Sequence, residues 1–589
     1  MKKSNIVNDI YTYKYNRDIM NEMISGAEAL VRSLMAEGVD TIFGYPGGAI
    51  IPVFDRLYDY KDRLRNILVR HEQGAIHAAQ GYARVSGRTG VVVVTSGPAA
   101  TNVITGLSDA MMDSTPLVVI TGQVGSELLG SDAFQETDVI GITQPVTKWS
   151  YQIRNVEDLR WAVGRAFYIA STGRPGPVVL DFAKNAQTAM MEWRGYKKCR
   201  FVRTYEPCPE ISEADVDRVA QMIDKAKRPL IIAGHGVEIA GGEQELLRLA
   251  RKAQVPLATT LLGLSTVDSD EPLFKGFVGM HGNVAANVAI GECDVLVAVG
   301  MRFDDRVTGD PVHFATQASV VHIDIDSSEF GKIIKPAATI HGDAKAVLSM
   351  LADKVSPARH DEWLSSFEKA RKVELEKVIK PELDDCSRIT MGSVARKVAE
   401  AAGRGAVLVT DVGQNQMLSA RYFKYTAPRS IITSGGLGTM GFGLPASIGA
   451  KIGAPDRTVC FFTGDGGLQM TEEELGVILH YGIDVKIVLL NNNFLGMVRQ
   501  WQTLFYDRRF SATELVNPNF VMLANAYGIP AEEVETPDQL DAAIGRMFAH
   551  KGAYLLNINI DPEELVYPMT PAGAPCTTIL LNKVEKYEH

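Results

Sequence analysis

Leu30, Val31, Leu34 and Met35 recur at helical intervals behind Ser25 and Glu28, whose spacing is that of a capping box. A short apolar strand follows at 41–43 and ends in Gly44-Tyr45-Pro46-Gly47-Gly48. Helical stretches then alternate with strands at 67–69, 91–95, 117–121 and 178–180, which are mainly runs of aliphatic residues. Strands so continuously apolar are buried on both faces, as in a parallel sheet covered by helices.

Two stretches break the pattern: 192–211, rich in Arg, Lys, Pro and Cys, and 356–387, highly charged and read as a helical linker. They leave three α/β blocks, 20–190, 205–350 and 388–565, with a tail at 566–589. The predicted class is α/β, with three doubly wound parallel-sheet domains. The first and third blocks look like copies of one design. The strand 91–95, a Ser96-Gly97-Pro98 turn, a helix and the strand 117–121 parallel the strand 460–463, a Gly464-Asp465-Gly466-Gly467 turn, a helix and the strand 485–490. Two such half-sites can bind two ends of one ligand.

A chain of 589 residues is too long for one core and implies about three to four domains at ~150 residues each. Its net charge of -10 offers no electrostatic footprint for nucleic acid. The six cysteines lack metal-ligand spacing and suit reduced thiols. The first twenty residues lack the apolar stretch of a signal peptide, and no run approaches the ~18 apolar residues of a membrane span. A soluble cytoplasmic protein is expected.

The strongest chemical signal is Thr463-Gly464-Asp465-Gly466-Gly467, a helix with Leu475, Ile478 and Leu479 on one face, a strand, and Asn491-Asn492-Asn493. Asp465 is expected at the carboxyl edge of the sheet, with Asn492 delivered beside it by the next strand. Mg2+ takes oxygen ligands and is commonly held by one or two protein groups plus phosphate oxygens. Asp465, the Asn492 amide oxygen and the carbonyl of Phe494 could supply the protein share. The bland alternative, a tight turn and an Asn-rich loop, is disfavoured by the ordered pair between two apolar strands.

The run from Gly464-Asp465-Gly466 to Asn491-Asn492 resembles the metal and diphosphate motif of thiamine-diphosphate enzymes. That resemblance implies pyrimidine-binding, central and diphosphate-binding domains, in the order of the three blocks. Arg70-His71-Glu72-Gln73-Gly74-Ala75 resembles the segment carrying the family's activating glutamate. Glu72 would then hydrogen-bond the cofactor's pyrimidine nitrogen and favour the imino tautomer that deprotonates the thiazolium. Its bland reading is a helix-start glutamate favoured by the macrodipole; a zinc-protease HExxH is excluded because Ala75 stands where the second His is required. Gly435 to Gly443 contains a literal GxGxxG from Gly436 to Gly441, a weak dinucleotide signal. The resemblance instead sets Gly438 and Met440 against the aminopyrimidine, Met440 bending the cofactor; ordinary core packing is the bland reading of Met440. Gly413, Gln414 and Asn415 would cradle the diphosphate, with Gly466, Gly467 and Met497 completing the cofactor set.

Tyr45-Pro-Gly-Gly-Ala-Ile-Ile-Pro-Val-Phe54, Gly279-Met-His-Gly282 with Met301-Arg-Phe-Asp-Asp-Arg-Val-Thr-Gly309, and Gly496-Met-Val-Arg-Gln-Trp-Gln502 are similar to the acetohydroxyacid synthase branch of that family. The similarity runs from about residue 23 to 575. It implies decarboxylation of pyruvate and transfer of the hydroxyethyl unit to a second pyruvate or 2-oxobutyrate, the first common step of branched-chain amino acid synthesis. Arg306 would grip the second acid's carboxylate, and Trp501 would border the pocket for its alkyl group. Gln135 and Lys184 match substrate-channel positions, with plain surface roles as alternatives.

A structural FAD is also implied, at Arg174, Gly234, Gly236, Thr259, Met280, His281, Arg302, Asp305, Asp324 and Asp343. Acidic residues after a strand suit ribose hydroxyls, and glycines suit close backbone approach. The expected assembly is a homodimer or tetramer with shared active sites, with a small regulatory subunit as a further partner. Phe494 departs from the charged or polar residue of many relatives, which leaves a carbonyl ligand unaffected. The competing readings are a flavin-dependent pyruvate oxidase or glyoxylate carboligase on the same fold, and a cofactor-binding regulatory protein without catalysis.

Overall fold

The computed structural model describes residues 22–588; the N-terminal segment, the first two positions of the 20–190 block and the last residue of the tail lie outside the described residues. The chain forms two compact units, one over 22–84 and 88–205 and the other over 85–87 and 206–588.

In the first unit the strands are β1 (Glu22–Ser25), β2 (Thr41–Tyr45), β3 (Arg65–Leu68), β4 (Gly90–Val94), β5 (Leu117–Gln123), β6 (Trp149–Ile153), β7 (Pro177–Ala183) and β8 (Met190–Trp193). Six of them make a parallel sheet in the order β3-β2-β4-β5-β7-β6. Every residue of β4, β5 and β7 is buried, as continuous apolar runs require. The sequence pattern missed β6, whose Trp and Tyr are only half-buried, and the antiparallel pair of β1 with β8. The helix Gly26–Ala36 starts as expected, with the Ser25 hydroxyl accepting from the Glu28 amide at 3.2 Å. The capping box stays half made: the Glu28 carboxylate turns to Arg32 and accepts from the Tyr60 hydroxyl at 3.0 Å.

The second unit carries two more six-stranded parallel sheets. The central one is built from β9 (Pro229–Ala233), β10 (Leu257–Thr259), β11 (Phe274–Phe277), β12 (Val295–Val299), β13 (Ser319–Asp324) and β14 (Ala338–His341). Its order, β11-β10-β9-β12-β13-β14, is that of a dinucleotide-binding sheet, with the direction of winding reversing between β9 and β12. The last sheet comprises β15 (Val407–Thr410), β16 (Ile431–Ile432), β17 (Val459–Gly464), β18 (Lys486–Asn491), β19 (Ala531–Val534) and β20 (Tyr554–Asn559), in the order β16-β15-β17-β18-β20-β19. Counted from its own first strand, this sheet has the same order as the one in the first unit, so the internal likeness read between the outer blocks is topological. The dinucleotide order belongs to the central sheet, away from the literal GxGxxG.

The charged stretch 356–387 is a packed element. Its helix Asp361–Glu374 buries Trp363, Phe367 and Ala370 in one cluster with Val284 to Ile290. The Trp363 indole donates to the Pro229 carbonyl at 2.9 Å. The tail enters the same cluster through Cys576, Ile579, Leu581 and Tyr587, and Met569 and Leu580 exchange backbone hydrogen bonds of 2.9 and 2.8 Å. Among the described residues no helix is long and apolar enough to cross a membrane.

Candidate active site

β17 is apolar until Thr463, so the chain leaves the sheet at its carboxyl edge just before Asp465. There the expected tight turn is a one-turn helix, Asp465–Leu468, with Asp465 as its first, buried residue. Burial pushes this carboxyl up from its ordinary value, opposed by the Asn517 amide and the Gly466 N–H. The expectation that Leu479 shares the buried face of the helix Leu475–Tyr481 is corrected: Leu475 and Ile478 are buried and Leu479 is 56% exposed.

β18 delivers Asn491 to the same edge, and the next residues are stitched to a later loop. The Leu495 amide donates to the Thr513 carbonyl and the Leu515 amide to the Asn493 carbonyl, both at 2.8 Å. In such an antiparallel pair the intervening residue turns its own amide and carbonyl to the other side. Phe494 accordingly donates its N–H to the Asn492 amide oxygen at 3.1 Å. Its ring lies 4.6 Å from the Arg499 guanidinium.

Among the described residues no three His, Cys, Asp or Glu cluster in a way that could hold a metal ion. A cation at this edge would rest on one carboxylate, Asp465, with the amide oxygen of Asn492 and the carbonyl of Phe494. An all-oxygen set with few charges, leaving positions for phosphate oxygens, is what Mg2+ requires. The residues present fit it.

β15 ends beside this edge, and its next residue, Asp411, was missed by the sequence reading. Wholly buried, Asp411 accepts from the amides of Val412 at 2.8 Å, Gly441 at 3.0 Å and Gly443 at 3.1 Å. One carboxylate thus ties the segment after β15 to the glycine-rich run. It also explains Gly467, where a Cβ would stand 2.4 Å from Asp411 Oδ1. At Gly466 a Cβ would stand 2.7 Å from Leu495 and 3.6 Å from the Met440 methyl, so Met440 comes beside the Asp465 turn. Gly413 has φ +124°, open only to glycine, and the direction of its missing side chain faces Asn415 and Met497 at 3.7 and 4.0 Å. Gly438, at φ +70°, is exposed.

The Gln414 side chain is turned inward, donating to Gln500 Oε1 at 3.0 Å and to the Glu564 carbonyl at 2.9 Å. The Asn415 amide oxygen, by contrast, is buried without a hydrogen-bond partner among the described residues. Trp501 is half-buried on the helix Gly496–Phe505, its ring 5.1 Å from that of Phe505.

In the first unit, Glu72 is the first residue of the helix Glu72–Ser86, just past β3, and is half-buried. Asn102, unforeseen from the sequence, donates to Glu72 Oε2 at 2.9 Å. Asn102 closes the helix Pro98–Asn102 that follows β4. Gln135 reaches the turn before that helix: it has φ +60°, and a Cβ on Gly97 would stand 2.8 Å from its carbonyl oxygen. Lys184 is exposed at the start of the helix Lys184–Thr188, after β7. Arg174 donates to the Ser114 hydroxyl at 2.9 Å.

On the central sheet, Gly234 and Gly236 lie where the winding reverses. The Gly234 amide donates to the Val299 carbonyl at 2.8 Å and the Gly236 amide to that of Gly300 at 3.0 Å. A Cβ on Gly234 would stand 2.2 Å from the Gly300 oxygen, so the missing side chain here lets two backbone segments pack closely. Thr259, at the end of β10, has a buried hydroxyl with no partner among the described residues. Asp343 caps the helix Ala344–Lys354 by accepting from the Ala346 amide at 3.0 Å, and Asp324 accepts from the Asp326 amide at 2.9 Å.

Met280 donates its amide to the Arg306 carbonyl at 2.8 Å. The His281 ring meets the Pro568 carbonyl at 3.2 Å, and burial lowers its pKa to about 4. Arg302 stands 3.8 Å from Asp304, and exposed Asp305 and Arg306 lie 3.5 Å apart. The reversal point of this sheet, with a polar group left over at Thr259, fits a dinucleotide-type ligand such as FAD.

Three parallel sheets, two of them alike and each with a reversal of winding, define the class. Models of thiamine pyrophosphate enzymes match the chain in all three parts: the N-terminal TPP binding domain at 24–142, the central domain at 216–351 and the C-terminal TPP binding domain at 411–558. The chain is 44% identical over 571 residues to a "Probable acetolactate synthase large subunit" of Methanocaldococcus jannaschii, covering 95% of each. It is 43% identical to the "Acetolactate synthase isozyme 2 large subunit" of Escherichia coli, over 95% of this chain and 99% of that one. The "Acetolactate synthase large subunit" of Lactococcus lactis is likewise 43% identical, over 93% and 95%. The chain belongs to the thiamine pyrophosphate enzymes, among the acetolactate synthase large subunits.

Proposed function

We propose that the protein is the catalytic subunit of an acetolactate synthase, which joins two pyruvates, or pyruvate and 2-oxobutyrate, with loss of one CO2. The observation that carries this reading beyond the relatives is the carboxyl edge of the last sheet. There Asp465, the 491–494 loop and Met440 come together beside the left-handed Gly413. Thiamine diphosphate, when bound, supplies the electron sink that lets a 2-oxo acid lose CO2.

The chain's own residues divide the remaining work. Asp465, Asn492 and the Phe494 carbonyl would hold Mg2+ against the diphosphate, with Gly413, Gln414, Asn415, Gly466 and Gly467 around it. Met440 would shape the cofactor's bend, with Gly438 against its aminopyrimidine and Met497 a further contact. Glu72, steadied at Oε2 by Asn102, keeps its other carboxyl oxygen for a pyrimidine nitrogen, where it would hold or pass a proton. Arg306 would bind the second substrate's carboxylate through its exposed guanidinium. Trp501 would limit the alkyl pocket, and Gln135 and Lys184 would line the channel. FAD would occupy the reversal point of the central sheet, with Gly234, Gly236, Thr259, Met280, His281, Arg302, Asp305, Asp324, Asp343 and Arg174 as contact residues.

The relatives named as large subunits support a small-subunit partner, and the assembly we propose is a homodimer or tetramer with shared active sites. The decisive test is purified protein with pyruvate, Mg2+, thiamine diphosphate and FAD under nitrogen. Acetolactate and CO2 are expected, with FAD left oxidised. Dependence on an electron acceptor with bleaching of the flavin would replace the reading by a pyruvate oxidase. Cofactor binding without CO2 release would end the catalytic one.

A further inference from the structure

Asn517 lies in the loop that closes over the carboxyl edge of the last sheet, and nothing in the sequence pointed to it. Its amide nitrogen is 2.7 Å from Asp465 Oδ2, 3.0 Å from Asn491 Oδ1 and 3.0 Å from Asn493 Oδ1. Which end of an amide faces which partner is set by the surrounding bonds, and here they agree. Gln469 Nε2 donates to Asn517 Oδ1 at 2.9 Å, so the NH2 group of Asn517 is the end presented to Asp465. Asn491 uses its own NH2 on Asn557 Oδ1 at 3.2 Å, which leaves its oxygen facing Asn517. The loop cannot slide freely, because the 2.8 Å backbone bonds of Leu495 with Thr513 and of Leu515 with Asn493 fix its register.

We infer that Asn517 is a positioning residue for the metal site: it holds one oxygen of the Asp465 carboxylate and so aims the other at the cation. This rests on Asp465 being the metal's carboxylate ligand. The physical reasons are two. A buried carboxylate can turn about its last bond, and a donor held on one oxygen stops that turn. Asn517 also bridges Asp465, on the β17 edge, to Asn491 and Asn493, on the β18 edge. It therefore sets the separation of the two ligand-bearing segments before any cation arrives. Partners of this kind, one bond removed from a metal, typically alter affinity by about 10–100-fold when lost.

The test measures the Mg2+ concentration at which half of the thiamine diphosphate is retained in equilibrium dialysis, for the parent protein, Asn517→Ala, Gln469→Leu and Asp465→Ala. For Asn517→Ala the requirement should rise about 10–100-fold, and turnover should return near the parent's once Mg2+ saturates. Gln469→Leu leaves Asp465 and Asn517 in place and should shift it in the same direction by less. Asp465→Ala should lose Mg2+-dependent retention altogether. If Asn517→Ala keeps the parent's Mg2+ requirement, or loses turnover that saturating Mg2+ does not restore, the positioning role is wrong. An unmoved Gln469→Leu would remove the orienting step. If Asp465→Ala itself behaves like the parent, the failure lies in the metal assignment, and the two cases are distinguished within one experiment.

Discussion

Replacing Asp411 by alanine removes the acceptor of three amides, those of half-buried Val412 and of buried Gly441 and Gly443. A buried donor left unpaired costs about 1–3 kcal/mol, so the two buried ones set a range of about 2–6 kcal/mol for the local structure. The vacated volume is polar and can admit a water making two to four bonds, which draws the loss toward the lower end, about 3 kcal/mol. The loss should be local, because the strands on either side keep their pairing. Hydrogen exchange of a peptide spanning 436–445 is the direct assay. At about 1.4 kcal/mol per decade, amide exchange there should accelerate by roughly 100-fold. The same variant should bind thiamine diphosphate more weakly, since Gly438 and Met440 hang from the same run. Parent-like protection of Gly441 and Gly443 in Asp411→Ala would show that the carboxylate does not hold this segment, and the reasoning would fail.

Glu72→Gln should leave Mg2+ and thiamine diphosphate binding nearly intact while slowing exchange of the cofactor's C2 proton by about 10²–10⁴-fold, as for loss of a general acid–base group; an unchanged exchange rate by proton NMR would remove Glu72 from its role. Trp501→Leu should change the preference between 2-oxobutyrate and pyruvate by roughly tenfold, read as the ratio of the two acetohydroxy acids formed in competition; an unaltered ratio would count against the pocket assignment. Asp181 is wholly buried within β7, and burial raises its pKa to about 6 against the bonds from Gln152, Thr121 and Gln123. A carboxyl raised on folding favours the folded state while it is protonated. Its contribution is therefore present below about pH 4 and lost as pH rises through about 6, a change of about 3 kcal/mol. Asp181→Asn should flatten the stability profile of the first unit between those limits, and a profile with the parent's slope would refute it.

Much of the metal edge was legible because its signals are local. A continuous apolar strand, a glycine-bounded aspartate and an asparagine run after the next apolar strand carry their meaning in a few consecutive residues. Glu72 was placed at a helix start for the same reason. Leu479 was misplaced because periodicity identifies an apolar stripe without saying how wide a face the neighbours cover. The inward turn of the Gln414 side chain was not legible, because a side-chain amide after a glycine turn can face either the ligand or the interior, and here Gln500 and Glu564 draw it inward.

Hydrophobic patterning along the chain determined that there are three parallel-sheet blocks, that the outer two share a design, and which strand ends carry Asp465 and Glu72. Those are consequences of side chains meeting solvent or core one element at a time. Only the tertiary structure decided that Asp411 joins two segments thirty residues apart, that Asn102 steadies Glu72, and that Asn517 grips Asp465 across 52 positions. Buried polar groups choose partners by three-dimensional proximity and hydrogen-bond satisfaction, and neither leaves a periodic trace in the order of the residues.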